Sequence, residues 1–112
     1  MKQVILDTSF IITAVAQKVD FFDEIEGKGL HVLVPEQAIK ELKSLGAELA
    51  LRILDKNKFE TLKISGKDAD SAIINFARKN PSAIVATLDR GLQGKVRNSK
   101  MVIRGRKKLE II

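Results

Sequence analysis

The chain has 112 residues and a formal net charge of +6, a length typical of a single domain, here 1–112, with one hydrophobic core. With no cysteine and one histidine, it excludes disulfides, thiolate zinc sites and cysteine nucleophiles, and it disfavours a Ser–His–Asp triad. Its apolar runs of about four residues are far shorter than the ~20 residues that cross a bilayer, and residues 1–3 lead into a strand-like segment without a signal peptide. We therefore expect a soluble, cytoplasmic protein with no membrane partner.

Strand-like and helix-like segments alternate along the chain. Uninterrupted apolar, partly β-branched segments predict buried strands, and apolar residues at helical spacing between capping residues predict helices. Such alternation favours an α/β fold of three layers, with helices on both faces of a central, mainly parallel sheet. The predicted strands are 3–7, 30–34, 59–64, 83–87, 101–104 and 109–112, and the predicted helices are 8–18, 36–45, 47–55, 68–79 and 90–95, with a helical turn at 21–26.

The positive charge is concentrated in one segment. Outside it, twelve basic residues face fourteen acidic ones, a formal charge of −2. A local cationic field favours a polyanion such as nucleic acid, although a solvated, lysine-rich surface is an equal alternative. With five phenylalanines and no tyrosine or tryptophan for base stacking, any nucleic acid would be bound mainly through its phosphates. The segment has no acidic residue and eight basic ones, namely Arg90, Lys95, Arg97, Lys100, Arg104, Arg106, Lys107 and Lys108.

Two aspartates follow predicted strands. Asp7 ends the first strand, and Asp89 comes two residues after the strand at 83–87. Because the carboxyl ends of parallel strands meet at the same edge of the sheet, where the functional crevice of such folds lies, we expect these carboxylates to be neighbours. Each of them alone is equally well explained as a helix N-cap.

Two predicted helices add further carboxylates. Glu41 lies at the border of the apolar face of its helix, where a surface ion pair is the alternative interpretation. Asp70 lies within the apolar face of the helix at 68–79, whereas Asp68 lies on the polar side and is assigned to capping. An ionised carboxylate that faces a core requires a partner, and a divalent cation shared by several carboxylates would provide one.

Carboxylates without cysteine or histidine suit Mg²⁺ or Mn²⁺. These ions also bind phosphates and activate water for attack on a phosphodiester. Because four carboxylates repel one another without metal, we expect at least one raised pKa. Ser9 and Thr87 are candidate hydroxyls for holding the carboxylates or binding water beside them, with N-capping and ordinary strand preference as the alternatives.

At this point the sequence resembles the PIN-domain ribonuclease family. Its four motifs are similar to residues 5–12, 34–42, 68–74 and 85–90 of this chain, which place acids at Asp7, Glu41, Asp70 and Asp89. The resemblance covers almost the whole chain. It implies a PIN-like fold, a site for one or two Mg²⁺ or Mn²⁺ ions built from these four acids, and cleavage of RNA.

Two branches of the family fit the sequence. The segment 88–97 resembles the Fcf1/Utp24-like rRNA-processing branch, whose partners are pre-ribosomal. The opening Leu6–Ser9 is equally similar to VapC-like toxins, which pair with an antitoxin and are usually somewhat longer. Ser71 stands where the processing branch commonly has a second acid beside Asp70. The five phenylalanines are expected in the core. The alternative, since PIN-like proteins often self-associate, is an exposed patch for a homodimer formed by Phe10, Ile11, Phe21 and Phe22.

Our leading hypothesis is a metal-dependent endoribonuclease. In it the four acids are catalytic and metal-binding, and basic residues position the RNA backbone. The alternative is a non-catalytic RNA-binding module with a degenerate site. The predicted RNA-binding residues are Arg90, Lys95, Arg97, Arg104, Arg106, Lys107 and Lys108.

Overall fold

A computed structural model describes residues 2–105 and 107–112. Every predicted element is present, with ends that differ by at most two residues. The strands are β1 (Gln3–Leu6), β2 (His31–Pro35), β3 (Glu60–Leu62), β4 (Ile84–Ala86), β5 (Lys100–Arg104) and β6 (Lys108–Ile111). The helices are α1 (Thr8–Ala16), α2 (Phe21–Gly27), α3 (Glu36–Ser44), α4 (Glu48–Asp55), α5 (Ala69–Lys79) and α6 (Arg90–Gln93). Within the described part of the chain, no helix has the length and apolarity that crossing a bilayer requires.

The strands form one mainly parallel sheet in the order β3-β2-β1-β4-β5-β6. Each neighbouring pair among β3, β2, β1, β4 and β5 is parallel, and the remaining pair, β5 with β6, is antiparallel. From the central strand β1, the chain goes first to β2 on one side and later to β4 on the other. In parallel sheets such a reversal of strand order opens a crevice beyond the carboxyl ends of the two central strands. The topology therefore identifies the ends of β1 and β4 as the place for a functional site.

Helices cover both faces of the sheet, as the three-layer prediction requires. In β1, Val4 and Leu6 pack into the apolar cluster formed with helices α1 to α4. Ile5, on the opposite face, packs into the cluster formed with α5 and α6, which contains Ile73 and Phe76. Because both faces of β1 are buried, the strand has a continuous apolar sequence instead of an alternating one.

The expectation that the phenylalanines are core residues is confirmed for Phe10, Phe21 and Phe22, and the alternative of an exposed patch is wrong. Phe10, Ile11 and Phe21 are at most 1% exposed and Phe22 is 6% exposed. The rings of Phe10 and Phe21 meet edge to face with centroids 6.0 Å apart, an arrangement that aromatic pairs prefer. Helix α2 folds back onto the sheet and buries these side chains between itself and α1. The large apolar side chains that are exposed on α1 and around α4 are Ile12, Leu45 and Leu49.

A glycine shapes the loop that leads from β3 into α5. A Cβ atom added at Gly66 would lie 2.5 Å from the backbone nitrogen of Ala72 and 2.9 Å from its Cα. Only glycine permits so close an approach of the loop to the first turns of α5. The side chain of Gln37 in α3 binds the same loop, because its Nε2 donates to the carbonyl oxygens of Ile64 and Gly66 at 2.8 and 2.9 Å. The start of α5, and with it Asp70, is thereby placed beside α3.

Candidate functional site

Asp7 follows β1 directly and is only 3% exposed. Its Oδ2 accepts hydrogen bonds from Ser9 Oγ and Thr87 Oγ1, both at 2.8 Å. Both hydroxyls therefore hold the Asp7 carboxylate, and their role beside a bound ion stays a prediction. Asp7 occupies the N-cap position of α1, but its side chain makes no capping hydrogen bond to the helix. Both bonds go to Oδ2, and no described residue donates a hydrogen bond to Oδ1.

Asp89 follows β4 and is exposed. Its backbone N–H donates to Thr87 Oγ1 at 3.1 Å, so the Thr87 hydroxyl touches both strand-end aspartates. Its Oδ1 accepts from the backbone N–H groups of Gly91 and Leu92 at 2.8 and 3.2 Å, which confirms the N-cap interpretation for Asp89. Sequence reasoning missed Gln93, whose Nε2 donates to the Thr87 carbonyl oxygen at 2.8 Å and closes this turn.

Glu41 connects three helices. It is half-buried in α3, where its Oε1 accepts from Thr8 Oγ1 at 2.7 Å and its Oε2 accepts from the backbone N–H of Ala69 at 3.0 Å. These bonds join the start of α1 and the start of α5 to α3, so the surface ion-pair interpretation is wrong. Sequence reasoning missed Thr8, although its position directly after Asp7 indicated that its side chain lies near the predicted site.

Asp70 is half-buried in the first turn of α5. Burial raises the pKa of the Asp70 carboxyl, and the negative charges of Asp7, Asp89, Asp68 and Glu41 raise it further. The expectation of a raised pKa is confirmed here. Glu41 contacts Thr8, the neighbour of Asp7, and Ala69, the neighbour of Asp70. Thr87 contacts both strand-end aspartates, so the four predicted acids lie at the same edge of the sheet.

Asp68 has the separate role predicted for it. Its Oδ1 accepts a 2.9 Å hydrogen bond from the backbone N–H of Ser71, which caps α5. That bond lowers the pKa of Asp68, and the positive charges of Lys67 and Lys95 lower it further. Asp68 therefore stabilises the helix that carries Asp70.

The donor set suits a hard divalent cation. In residues 2–105 and 107–112, no lysine, arginine or histidine nitrogen lies within 4.0 Å of the carboxylates of Asp7, Glu41, Asp70 or Asp89. Carboxylate oxygens are the ligands that Mg²⁺ and Mn²⁺ prefer. As the side chains stand, no three acidic or histidine groups of the described residues are placed to hold one ion together. The metal site therefore stays a prediction.

The predicted RNA-binding residues divide into two groups. Arg90 is exposed at the start of α6, directly after Asp89. Arg104, Lys107 and Lys108 lie at the turn from β5 to β6, and because β5 runs parallel to β4 this turn is at the edge that carries the acids. Arg104 Nε forms an exposed ion pair of 3.5 Å with Glu110. Arg106 lies outside the described residues.

Lys95 and Arg97 form the second group, in the loop after α6. Both are exposed, and with Arg78 and Pro81 they line a groove at the far end of α5 from Asp70. Arg97 therefore lies farther from the acids than its place in the sequence indicated. Asn98 holds this loop and was missed, since its Nδ2 donates to the carbonyl oxygens of residues 77, 80 and 83.

Comparisons with known proteins agree with this architecture. The family described as PIN-like domain matches residues 4–108. Ribonuclease VapC4 of Methanocaldococcus jannaschii is 30% identical over 99% of this chain and 97% of its own length. The rRNA-processing protein fcf1 of Schizosaccharomyces pombe is 32% identical over 84% of this chain, which spans about half (53%) of that protein.

A solved structure is also similar. The PIN domain endonuclease Utp24 superposes with a TM-score of 0.86 at 27% identity, over 97% of this chain and 90% of that one. The similarity confirms the three-layer fold around a mostly parallel sheet, and the relatives confirm the resemblance deduced from the four motifs. The chain belongs to the PIN-like domain family, whose members named above are nucleases or act in rRNA processing.

Proposed function

We propose that the chain is a Mg²⁺- or Mn²⁺-dependent endoribonuclease that hydrolyses RNA phosphodiester bonds. The observation that carries the proposal is the gathering of Asp7, Glu41, Asp70 and Asp89 at the crevice edge without a basic side chain within 4.0 Å in the described part of the chain. Such a concentration of negative charge would repel RNA unless a cation stood between them. The ribonuclease and endonuclease activities named for the relatives support the same chemistry.

The four acids are proposed to hold one or two ions and to be the catalytic residues. When bound, the ion supplies a Lewis acid that polarises the phosphate and makes water more acidic. Ser9 and Thr87 act through Asp7, because their hydroxyls fix the orientation of its carboxylate. Outer hydrogen bonds of this kind commonly decide whether a carboxylate ligand is correctly oriented.

The basic residues are proposed to bind the RNA backbone. Phosphates are recognised by arginine and lysine without sequence information, which agrees with a surface that has no tyrosine or tryptophan for stacking. The group at the acidic edge positions the RNA at the cleaved bond, and the group in the loop after α6 extends the path. The proposed residues are Arg90, Lys95, Arg97, Arg104, Arg106, Lys107 and Lys108.

The test is cleavage of a 5′-labelled RNA by the purified chain with Mn²⁺, with Mg²⁺ and with excess chelator. Asp7→Asn preserves size and removes the charge, so we expect it to lose cleavage almost completely. Asp55→Asn, an exposed aspartate at the end of α4, is the matched control and should cleave normally. Equal cleavage by Asp7→Asn, or cleavage in chelator, would contradict the proposal. RNA binding without any cleavage would identify the chain as the non-catalytic module.

For the biological role we propose rRNA processing, supported by the similarity to fcf1 and Utp24. A toxin role is the second candidate. It is favoured by the match over 97% of the length of VapC4, which shows that the length of this chain does not argue against a toxin. A toxin should arrest the growth of a bacterial host when expressed alone, and Asp7→Asn should relieve the arrest. A processing nuclease should instead cleave an rRNA precursor at one site. A neighbouring gene for a DNA-binding antidote would favour the toxin.

Partners follow from these roles. A toxin requires an antitoxin, whereas a processing nuclease requires a pre-ribosomal particle. Homodimer formation also stays a prediction, which sedimentation equilibrium of the purified chain checks.

A further inference from the structure

A groove of about 540 Å³ lies between the end of α5 and the loop after α6. We call it the α5 groove. Three of the residues that line it are basic (Arg78, Lys95 and Arg97), and none is acidic. All three basic side chains are exposed, and none of the ion pairs among the described residues involves them. Exposed cations that line one groove and form no ion pair there favour an anionic ligand.

The walls of the groove are fixed by buried hydrogen bonds. Asn98 is 6% exposed, and its Nδ2 donates to the carbonyl oxygens of Ala77, Asn80 and Ala83 at 3.3, 2.9 and 2.9 Å. Val96 is also buried and packs in the same apolar cluster as Ala77. The loop that carries Lys95 and Arg97 is therefore anchored to the end of α5. These bonds also occupy carbonyl oxygens at the end of the helix that would otherwise repel an anion.

The groove is separated from the acids by the length of α5. Arg78 comes eight residues after Asp70 in this helix, which is about 12 Å along the axis. A single RNA strand that reaches from the acids to the groove must therefore span about this distance.

We propose that the α5 groove binds a phosphate of the same RNA strand at a distance from the cleaved bond, with Arg78 as the residue that sequence reasoning did not identify. The inference rests on the proposed function for its ligand and adds a minimum length for the substrate. An arginine is suited to this role, because its guanidinium group can donate two parallel hydrogen bonds to a phosphate.

The first experiment measures binding of a fluorescein-labelled twelve-nucleotide oligouridylate by anisotropy, in chelator and at several salt concentrations. Arg78→Gln should weaken binding about fivefold at low salt and make the slope of log K against log salt less negative by about 0.7. The matched control is Arg52→Gln, because Arg52 is an exposed arginine in the last turn of α4. This variant should leave the affinity and the salt slope unchanged. Unfolding in urea checks that both variants are folded.

Several results would overturn the proposal. One is equal binding by the two variants, and another is no binding of the oligonucleotide by the native chain. A third is competition by polyglutamate that is as effective as competition by unlabelled RNA, because this result would assign the groove to an acidic protein. A second measurement uses cleavage, in which Arg78→Gln should raise KM for the twelve-nucleotide RNA without changing kcat, and should not affect an RNA too short to reach the groove. If the chain cleaves nothing, the proposed function fails, and the binding experiment still decides this inference.

Discussion

Thr87 and Asp7, eighty residues apart in the sequence, are joined by a hydrogen bond of 2.8 Å from the threonine hydroxyl to Asp7 Oδ2. The same hydroxyl accepts the backbone N–H of Asp89 at 3.1 Å. Thr87 is fully buried, and its bond to Asp7 is shielded from water. One hydroxyl group therefore links the ends of the two central strands and sets the orientation of the buried carboxylate.

Replacing this hydroxyl should affect both stability and activity. Thr87→Val preserves shape but removes the buried donor to the Asp7 carboxylate, so we expect a loss of about 1–3 kcal/mol in the free energy of unfolding in urea. Mn²⁺ affinity or cleavage should fall about 10- to 100-fold, because Asp7 loses one of its two donors. Thr87→Ser keeps the hydroxyl and should cleave nearly normally. If the serine and valine variants lost equal activity, the hydroxyl would not be the cause.

Asp70→Asn should stabilise the chain at neutral pH when divalent ions are removed. The pKa of Asp70 is raised above 3.8 in the folded state, so that state binds a proton more tightly than the unfolded one. Ionising Asp70 therefore costs stability as pH rises from about 3.8 through the raised pKa, and the cost remains at pH 7. The gain should be below about 1 kcal/mol, since solvent screens a half-buried group.

Thermal unfolding of native and Asp70→Asn chains in chelator, between pH 3 and pH 7, checks this. The difference in Tm should be largest at pH 7 and should disappear below about pH 3.8. A native chain that is the more stable of the two at pH 7 would contradict the assigned repulsion. Asp55→Asn, far from the cluster, should show no such dependence on pH.

Divalent ions should stabilise the native chain. A ligand that binds only the folded state raises its stability by RT ln(1 + [L]/Kd), or about 2.7 kcal/mol at one hundred times Kd. Mg²⁺ or Mn²⁺ should therefore raise Tm at constant ionic strength, and excess chelator should reverse the rise. In Asp7→Asn and Glu41→Gln the rise should be much smaller, while in Asp55→Asn it should be normal. An equal rise in all of these chains would place the ion elsewhere.

Gly66→Ala should destabilise the fold. Its Cβ would lie 2.5 Å from the backbone nitrogen of Ala72, and the backbone must move to relieve the clash, at a cost of about 1–3 kcal/mol. Gly27→Ala is the matched control, because Gly27 ends α2 with no atom within 4 Å of its added Cβ. The control should be neutral or more stable by up to about 1 kcal/mol. Equal urea midpoints for the two variants would show that the loop yields without cost.

Local patterns in the sequence are sufficient for much of this protein. The apolar run Val4–Leu6 predicts a strand buried on both faces, and Asp68 predicts the start of α5, because each depends on neighbours within a few residues. The order of strands and helices then implies a parallel sheet, whose carboxyl edge collects Asp7 and Asp89. The periodicity of α3 and α5 also shows which face of each helix carries Glu41 and Asp70.

Only the tertiary structure decides which of these faces meet. Helical periodicity could not show that Glu41 would bind Thr8 and the N–H of Ala69, since those donors come from two other helices. It could not show that Phe21 packs on Phe10, because that requires α2 to fold back against α1. Charge counting grouped Arg97 with Arg90, yet the loop after α6 carries Arg97 to the opposite end of α5, beside Arg78. Sequence periodicity specifies the faces of single elements, whereas contacts between distant elements depend on how those elements pack in three dimensions.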